Sequence, residues 1–416
     1  MLSAAKDILE VENKKNHTDV DIKCSDDISH IECSPISTGA VLLADILPTL
    51  FIKLIAPFAL QSIPYGTRHF LVLFFQTSSF IIVALSENVT IGIIGVVFAS
   101  LGAGLGEITY LSLSSNFHRD VISSWSSGTG GSGIFGALIY AILTDTALLS
   151  LTPRTALLSM LIIPTIFGIT YWKILQSPSS VHKVILWQPS TYFTASNPGE
   201  QLSIQRSISP IDDLQEPLIE ENNEEDSDDE DSDDWRRIRR KLTLREKLIL
   251  MKPLFKYMIP LSLVYFGEYF INQGLVELLV FDCKHGLHLN RLSQYRWYQV
   301  IYQLGVFISR SSSKVFPIKA KLLPLLAILQ MINAAIFFED ALKRFIPHIV
   351  LIFAVILYEG LLGGAAYVNT FNAVHKSIPL KDREFSMSFV SLADSFGIVA
   401  AGFLAIPVHN FICTNR

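Results

Sequence analysis

The sequence predicts an all-α polytopic membrane protein, a bundle of about ten spanning helices in two pseudo-repeated halves. Three observations predict it. Half of the 416 residues are hydrophobic and only 17% are charged. With a mean hydropathy of +0.40, that is too apolar for an ordinary soluble domain. Apolar runs of about 20 residues, long enough to cross a hydrocarbon core, recur along the chain. A shared pattern of glycine, tyrosine and basic residues occurs in corresponding places of the two halves.

The spans fall at 38–60, 69–86, 91–115, 130–149 and 155–175, then at 254–281, 295–310, 321–338, 347–372 and 385–411. The segment 295–310, YRWYQVIYQLGVFISR, is short and polar, which places it inside the bundle rather than against lipid. This reading divides the chain into a lumenal arm (1–37), an N-terminal transmembrane bundle (38–175), a cytoplasmic loop (176–252) and a C-terminal transmembrane bundle (253–416). The opening MLSAAKDILEVENKK has no apolar core followed by a cleavage site, so it does not read as a signal peptide.

Orientation follows from basic residues in short loops. With the long loop cytoplasmic, that side holds Arg68, Arg119, Arg310, Lys314, Lys319, Lys321, Lys376, Lys381 and Arg383. The opposite side holds Arg154, Lys284, Arg291, Lys343 and Arg344, a count of nine against five. The sequon Asn16-His17-Thr18 then falls on the lumenal side, where glycosylation occurs, whereas Asn88-Val89-Thr90 hugs the bilayer. Cys24, Cys33, Cys283 and Cys413 also fall on or near that oxidising side. Cys24 and Cys33 are close enough in sequence to close a small loop or to remain two free thiols. Cys413 is fourth from the end, like a prenylated cysteine, but the terminal Arg416 and a lumenal end both argue against that modification.

The cytoplasmic loop carries EENNEEDSDDEDSDD, which cannot form a packed core and reads as disordered. WRRIRRKLTLREKLILMK follows, with Trp235, Ile238, Leu242 and Leu248 able to share one face. It reads either as an interfacial helix held to an anionic leaflet or as a generic basic stop beside a span. Leu218 and Ile219, with acid upstream, form a weak sorting signal of the kind read by adaptors for endosomes and lysosomes; Asp213 is one residue too far for the strict spacing.

The halves compare at a constant offset. Gly106 meets Gly363, Tyr110 meets Tyr367, His118 meets His375 and Arg119 meets Lys376; a Phe-Gly pair follows in each, Phe135-Gly136 and Phe396-Gly397. Together these matches point to a parallel duplication. The small-residue spacings around Gly102, Gly128 and Gly360 let helices approach closely and account for most of the glycines.

Packing does not account for the charges. Asp45 and Lys53 share one span; Glu107, Glu268, Glu277, Glu359 and Asp394 lie in others. A charge at the bilayer centre costs on the order of 3 kcal/mol on insertion scales, so such groups face the bundle or a wet cavity. Lys53 can instead snorkel to the cytoplasmic edge, and Glu277 can touch headgroups. Glu107, Glu268 and Glu359, with Asp45 and Asp394 behind them, are candidates for substrate orientation or proton coupling, against a purely structural network. A buried carboxylate facing an acidic lumen can load a proton. Asn272 and Gln273 lie on adjacent turns from Glu268. With Arg296, Gln299, Tyr302 and Asn369 they are candidate substrate contacts, and Arg296 can attract an anion or pair with Glu268. The chain contains no HExxH, GxSxG, Walker loop or CxxC. GTGGSG at 128–133 lacks a phosphate-cradle lysine and reads as close packing where a membrane helix opens after a turn. No enzyme, metal, cofactor or nucleic-acid partner is expected.

VLLADILPTL, SSWSSGTGGSG, EYFINQGL, QYRWYQ and YEGLLGGAAYVNTF together resemble the battenin family, the ceroid-lipofuscinosis proteins of the lysosomal membrane, over about 38–413 outside the loop. The resemblance implies a fold similar to the major facilitator superfamily and residence in lysosomes and late endosomes. It also implies a part in lysosomal pH, autophagy, vesicle traffic and clearance of glycerophosphodiesters. Family members usually carry a further N-terminal segment and a first membrane helix; MLSAAKDI looks like the end of that helix, implying a truncated form or one that works without it. The leading expectation is an alternating-access transporter of small polar or anionic metabolites, with protons as a possible second cargo. The rival is a non-transporting membrane scaffold that organises endosomal traffic through its loop and sorting adaptors. A third reading is a channel or pH leak.

Overall fold

The computed structural model describes residues 38–59, 63–114, 117, 120–145, 148–176, 181–182, 184, 192 and 244–415. Asn16, Cys24, Cys33, Leu218, Ile219 and the acidic run lie outside them. Among the described residues the regular structure is helical throughout. The first group comprises α1 (Thr38–Ala59), α2 (Tyr65–Ala84), α3 (Val89–Ser114), α4 (Asp120–Thr144), α5 (Pro153–Ser159) and α6 (Ile162–Ile169), the last extended by a π-turn, Thr170–Ile174. The second comprises α7 (Leu244–Phe270), α8 (Arg291–Ser311), α9 (Leu323–Lys343), α10 (Ile349–Ser377), α11 (Leu380–Val390) and α12 (Leu392–Asn415). A π-turn at Ile271–Leu275 and a 3-10 turn at Val276–Leu278 extend α7.

Several boundaries differ from expectation. α4 starts at Asp120, so GTGGSG lies inside a helix rather than at its opening. Composition made this stretch resemble a turn; its helical state comes from packing, because Gly130 and Gly133 let Phe307 and Gln303 of α8 approach the backbone. α7 begins at Leu244, within the stretch read as an interfacial helix, and Lys247 is already buried there. The fifth span is broken between α5 and α6, where Pro164 has no N–H to return to Met160. The last span is likewise divided, with Ser391 between α11 and α12.

Eight helical segments among the described residues are apolar and long enough to cross a membrane. The two other long helices, α4 and α8, are too polar for that test but lie side by side, covering each other's polar faces. The two groups repeat one pattern of packing. α2 and α1 both pack on α3; α9 and α8 both pack on α10. Two seams join the groups, α1 against α12 and α4 against α8, and α11 spans the interface to touch α1 and α3. The segments matched by the repeat, containing Gly106 and Gly363, therefore occupy equivalent helices.

The apolar core follows this plan. One cluster (Val41, Val83, Val96, Tyr140, Leu157) fills the first group. Another (Leu275, Tyr298, Phe337, Ile352) fills the second. A third crosses between them through Leu42, Leu111, Leu261 and Phe371. Gly305 and Gly360 bring α8 and α10 into backbone contact: a Cβ on Gly360 would fall 3.0 Å from the Val306 nitrogen.

Candidate functional site

A lysine joins the two halves. Lys53 leaves α1 inside the bundle and is 1% exposed. Its Nζ lies 2.8 Å from Glu107 Oε2 on α3 and 2.9 Å from Asp394 Oδ1 on α12. It also donates to the Ser391 carbonyl at 3.0 Å. Lys53 therefore does not snorkel: two carboxylates from different halves hold it, as a buried ammonium requires. Asp394 is additionally bonded by the Ser395 hydroxyl at 2.9 Å and by the Ser395 amide. Glu107 is the open corner, with 23% of its side chain exposed against 7% for Asp394. Tyr367 of α10 donates to its Oε1 at 3.4 Å.

A second cation stands beside this node. Arg310, expected in a cytoplasmic loop, belongs to α8 and turns into the bundle. Its guanidinium donates to Thr129 Oγ1 on α4 at 2.8 Å and to the Tyr265 hydroxyl on α7 at 3.0 Å. It also stacks 4.1 Å over the Tyr367 ring. Sequence reasoning missed it because a basic residue in a helix's last turn looks the same as one opening a loop. The Thr and Gly residues facing it across the seam were the available signal. The node thus contributes two cations, two carboxylates and two tyrosine hydroxyls from both halves, a set able to hold a small polar anion and exchange a proton with it.

Glu268 and Glu359 lie within the second half. Tyr302 of α8 donates to Glu268 Oε1. Asn272 Nδ2 donates to the Glu268 carbonyl at 3.1 Å and to Glu359 Oε1 at 2.7 Å. Gln299 reaches the Asn272 carbonyl at 3.4 Å, and the Tyr295 hydroxyl donates to Gln273 Oε1 at 3.2 Å. Glu268, Asn272, Gln273, Gln299, Tyr302 and Glu359 are all buried. The structure therefore gathers them as expected, but into a closed network rather than an open cavity wall.

Two expectations are corrected, for Arg296 and Glu277. Arg296 does not pair with Glu268; its Nη1 donates to the Thr144 carbonyl at the end of α4, 3.3 Å away. Glu277 is buried rather than at headgroups: it accepts from the Thr38 amide at 3.3 Å and lies 3.6 Å from His409. The Asn369 amide accepts from the Ile318 N–H at 2.9 Å and donates to the Ala365 carbonyl at 2.8 Å, bracing the α8–α9 connection. Cys413 is disulfide-bonded, as is Cys283, so it is no free thiol for a prenyl group. Asp45 is half-buried on α1, and its carbonyl accepts from Ser100.

A cleft of about 160 Å³ lies away from this centre, lined by Phe281, Asp282, His285, Asp340 and Arg344 among others. The His285 amide and imidazole bond the half-buried Asp282 carboxylate and hold it below the usual carboxylate range. No group of three or more metal-ligating side chains occurs among the described residues.

Comparison with known proteins gives a family and a fold. A family model described as CLN3 protein matches residues 1–415. The chain is 42% identical to Battenin of Canis lupus familiaris, covering 99% of this chain and 87% of that one. It is 34% identical to Protein btn-1 of Neurospora crassa, with 91% and 82% covered. Its fold is similar, at 11% identity and a TM-score of 0.52, to the crystal structure of a bacterial homolog to the human lysosomal transporter Spinster in an inward-facing, unoccupied conformation, covering 97% of this chain and 78% of that one. At that identity the likeness shows the fold alone, a helical membrane bundle arranged like that protein's.

Proposed function

The chain belongs to the CLN3 protein family, and from that premise we propose that it is a lysosomal and late-endosomal transporter that exports small polar anions, glycerophosphodiesters being the substrate class to test first. By this role it supports lysosomal pH, autophagy and vesicle traffic. The observation that carries the reading is the Lys53–Glu107–Asp394 node, a charge cluster made by both halves with one accessible carboxylate. In a protein whose halves rock about a midplane site, groups shared between the halves sense both substrate and conformation.

Coupling follows from charge. With Glu107 ionised, Lys53 is satisfied on both sides. A proton on Glu107 removes one partner and frees one face of the ammonium for a phosphodiester, with Arg310 and its tyrosines as the second contact. Asp394 keeps Lys53 in place throughout. Glu268 and Glu359 form the inner acid pair of the same system, braced by Asn272 and Gln299, while Arg296 closes the lumenal end of the α4–α8 seam. The disulfide-bonded Cys283 and Cys413 support placing those ends of the bundle on the oxidising, lumenal side.

The test is efflux of labelled glycerophosphodiester from proteoliposomes with the interior at pH 5 and pH 7. The wild type is expected to show saturable efflux favoured by acid. Glu107→Gln, which mimics the protonated acid, is expected to retain efflux but lose its pH dependence. Absence of saturable efflux from wild-type protein would overturn the reading, and unchanged efflux from the Glu268→Gln, Glu359→Gln double variant would remove that pair from it.

A further inference from the structure

The closed network in the second half has three oxygens with no hydrogen-bond partner: Glu268 Oε2, Asn272 Oδ1 and Glu359 Oε2. Each belongs to a residue at most 2% exposed. With both carboxyls ionised, all three accept and none donates. The Asn272 amide cannot be flipped to remedy this, because its nitrogen already donates to the Glu268 carbonyl at 3.1 Å and to Glu359 Oε1 at 2.7 Å. In its ionised form the cluster therefore lacks positive charge as well as hydrogen-bond donors.

The electrostatics give the same result. Glu268 is attracted by Arg310 and repelled by Asp394, whereas the charged neighbour acting on Glu359 is Glu268 itself, of like sign. A water could donate to the orphaned oxygens but would leave the paired negative charge uncompensated. The backbone is shaped for ion binding as well. Asn272 lies in the π-turn Ile271–Leu275, where α7 departs from regular geometry. Gly363 of α10 faces Glu268 so closely that a Cβ there would lie 2.6 Å from the carboxylate carbon. A broken helix that presents oxygens within a bundle can hold a dehydrated alkali cation.

We propose that Glu268, Asn272 and Glu359 form a binding site for a monovalent metal cation of sodium's size, ligated by one oxygen from each side chain. The site is separate from the Lys53 node and lies entirely within the second half. Its use as a coupling-ion site rests on the transporter reading; binding itself does not.

Purified full-length protein in nanodiscs would be tested with 22Na+ by scintillation proximity. Its melting temperature would be recorded in sodium chloride and in N-methylglucamine chloride at equal ionic strength, each at pH 5 and pH 7. The expected result is saturable 22Na+ binding and a melting temperature raised by sodium at pH 7. Asn272→Leu is expected to weaken binding at least tenfold. Glu359→Gln is expected to abolish the sodium-dependent rise while leaving the sodium-free protein at least as stable as wild type, because the unmatched charge is gone; a merely structural glutamate would show the opposite. No saturable binding overturns the proposal. So does a melting temperature that rises on acidification alone and ignores sodium, which would assign the pair to protons. Sodium binding without any metabolite efflux would leave this site standing and remove the transport reading instead.

Discussion

The two seams between the halves differ in their polar contacts, an ion node in one and hydroxyl pairs with guanidinium contacts in the other. At α1–α12 the contact is apolar, with Leu42 and Leu43 against Gly402, apart from one charge node at the buried Lys53. At α4–α8 polar contacts flank a small apolar cluster of Ala137, Ala141 and Val300: Ser127 to Ser311 at 2.8 Å, Ser123 to Ser313 at 3.1 Å, Thr129 to Arg310 at 2.8 Å, and Arg296 to the Thr144 carbonyl at 3.3 Å. Hydroxyl pairs exchange readily for water, so the second seam can slide or part in small steps. The Lys53 node cannot, because separating an ammonium from two carboxylates in a low-dielectric interior leaves every partner uncompensated. The pseudo-symmetry that places the seams in equivalent positions does not extend to their chemistry, and that asymmetry makes one seam a latch and the other a bearing.

The largest expected effect breaks the latch. Lys53→Met leaves Glu107 and Asp394 facing each other without a cation. Removal of one partner from a buried ion pair costs about 3–5 kcal/mol. A melting temperature several degrees lower in nanodiscs and loss of efflux are expected. Adding Asp394→Asn to Lys53→Met should recover most of the stability, because the stranded charge goes with its partner, but not the transport. If Lys53→Met is as stable as wild type, the node is not a latch and the contrast between the seams fails.

Arg310 sharpens the comparison with a smaller effect. Arg310→Lys keeps the charge but loses the fork that meets Thr129 and Tyr265 together and the planar stack on Tyr367. Two hydrogen bonds and a cation–π contact of this kind contribute about 2 kcal/mol together. Stability should fall by no more than that, while substrate affinity, read from the concentration dependence of efflux, falls about tenfold. Equal losses for Arg310→Lys and Lys53→Met in both measurements would mean that the two seams do the same job.

These roles were unevenly legible in the sequence. Glu359 could be placed from sequence, because a carboxylate in an otherwise apolar run has nowhere to go except the interior. The grouping of Glu268 with Asn272 and Gln273 was legible from helical spacing, whereas the Tyr302 contact comes from the neighbouring α8. The destination of Lys53 was not, since its partner Asp394 lies 341 residues away and local sequence equally permits a snorkelling lysine. The start of α4 was hidden by a serine- and glycine-rich composition that helix propensity disfavours and that only the facing surface of α8 makes helical. Arg310 was hidden for the related reason that α8 continues to Ser311, past the point where an apolar span would have ended.

The smallest stability effect tests the bearing directly. Ser127 and Ser311 share one exposed hydroxyl bond, so Ser127→Ala should change stability by no more than about 0.5 kcal/mol. The same pair replaced by cysteines should crosslink readily under oxidation, because the two side-chain oxygens already lie 2.8 Å apart. If the α4–α8 seam slides during the cycle, the crosslinked protein should lose efflux and regain it on reduction, with the melting temperature unchanged or higher. If crosslinked protein transports normally, α4 and α8 move as one body, and the halves must then open about the α1–α12 side, with Lys53 released in every cycle rather than held.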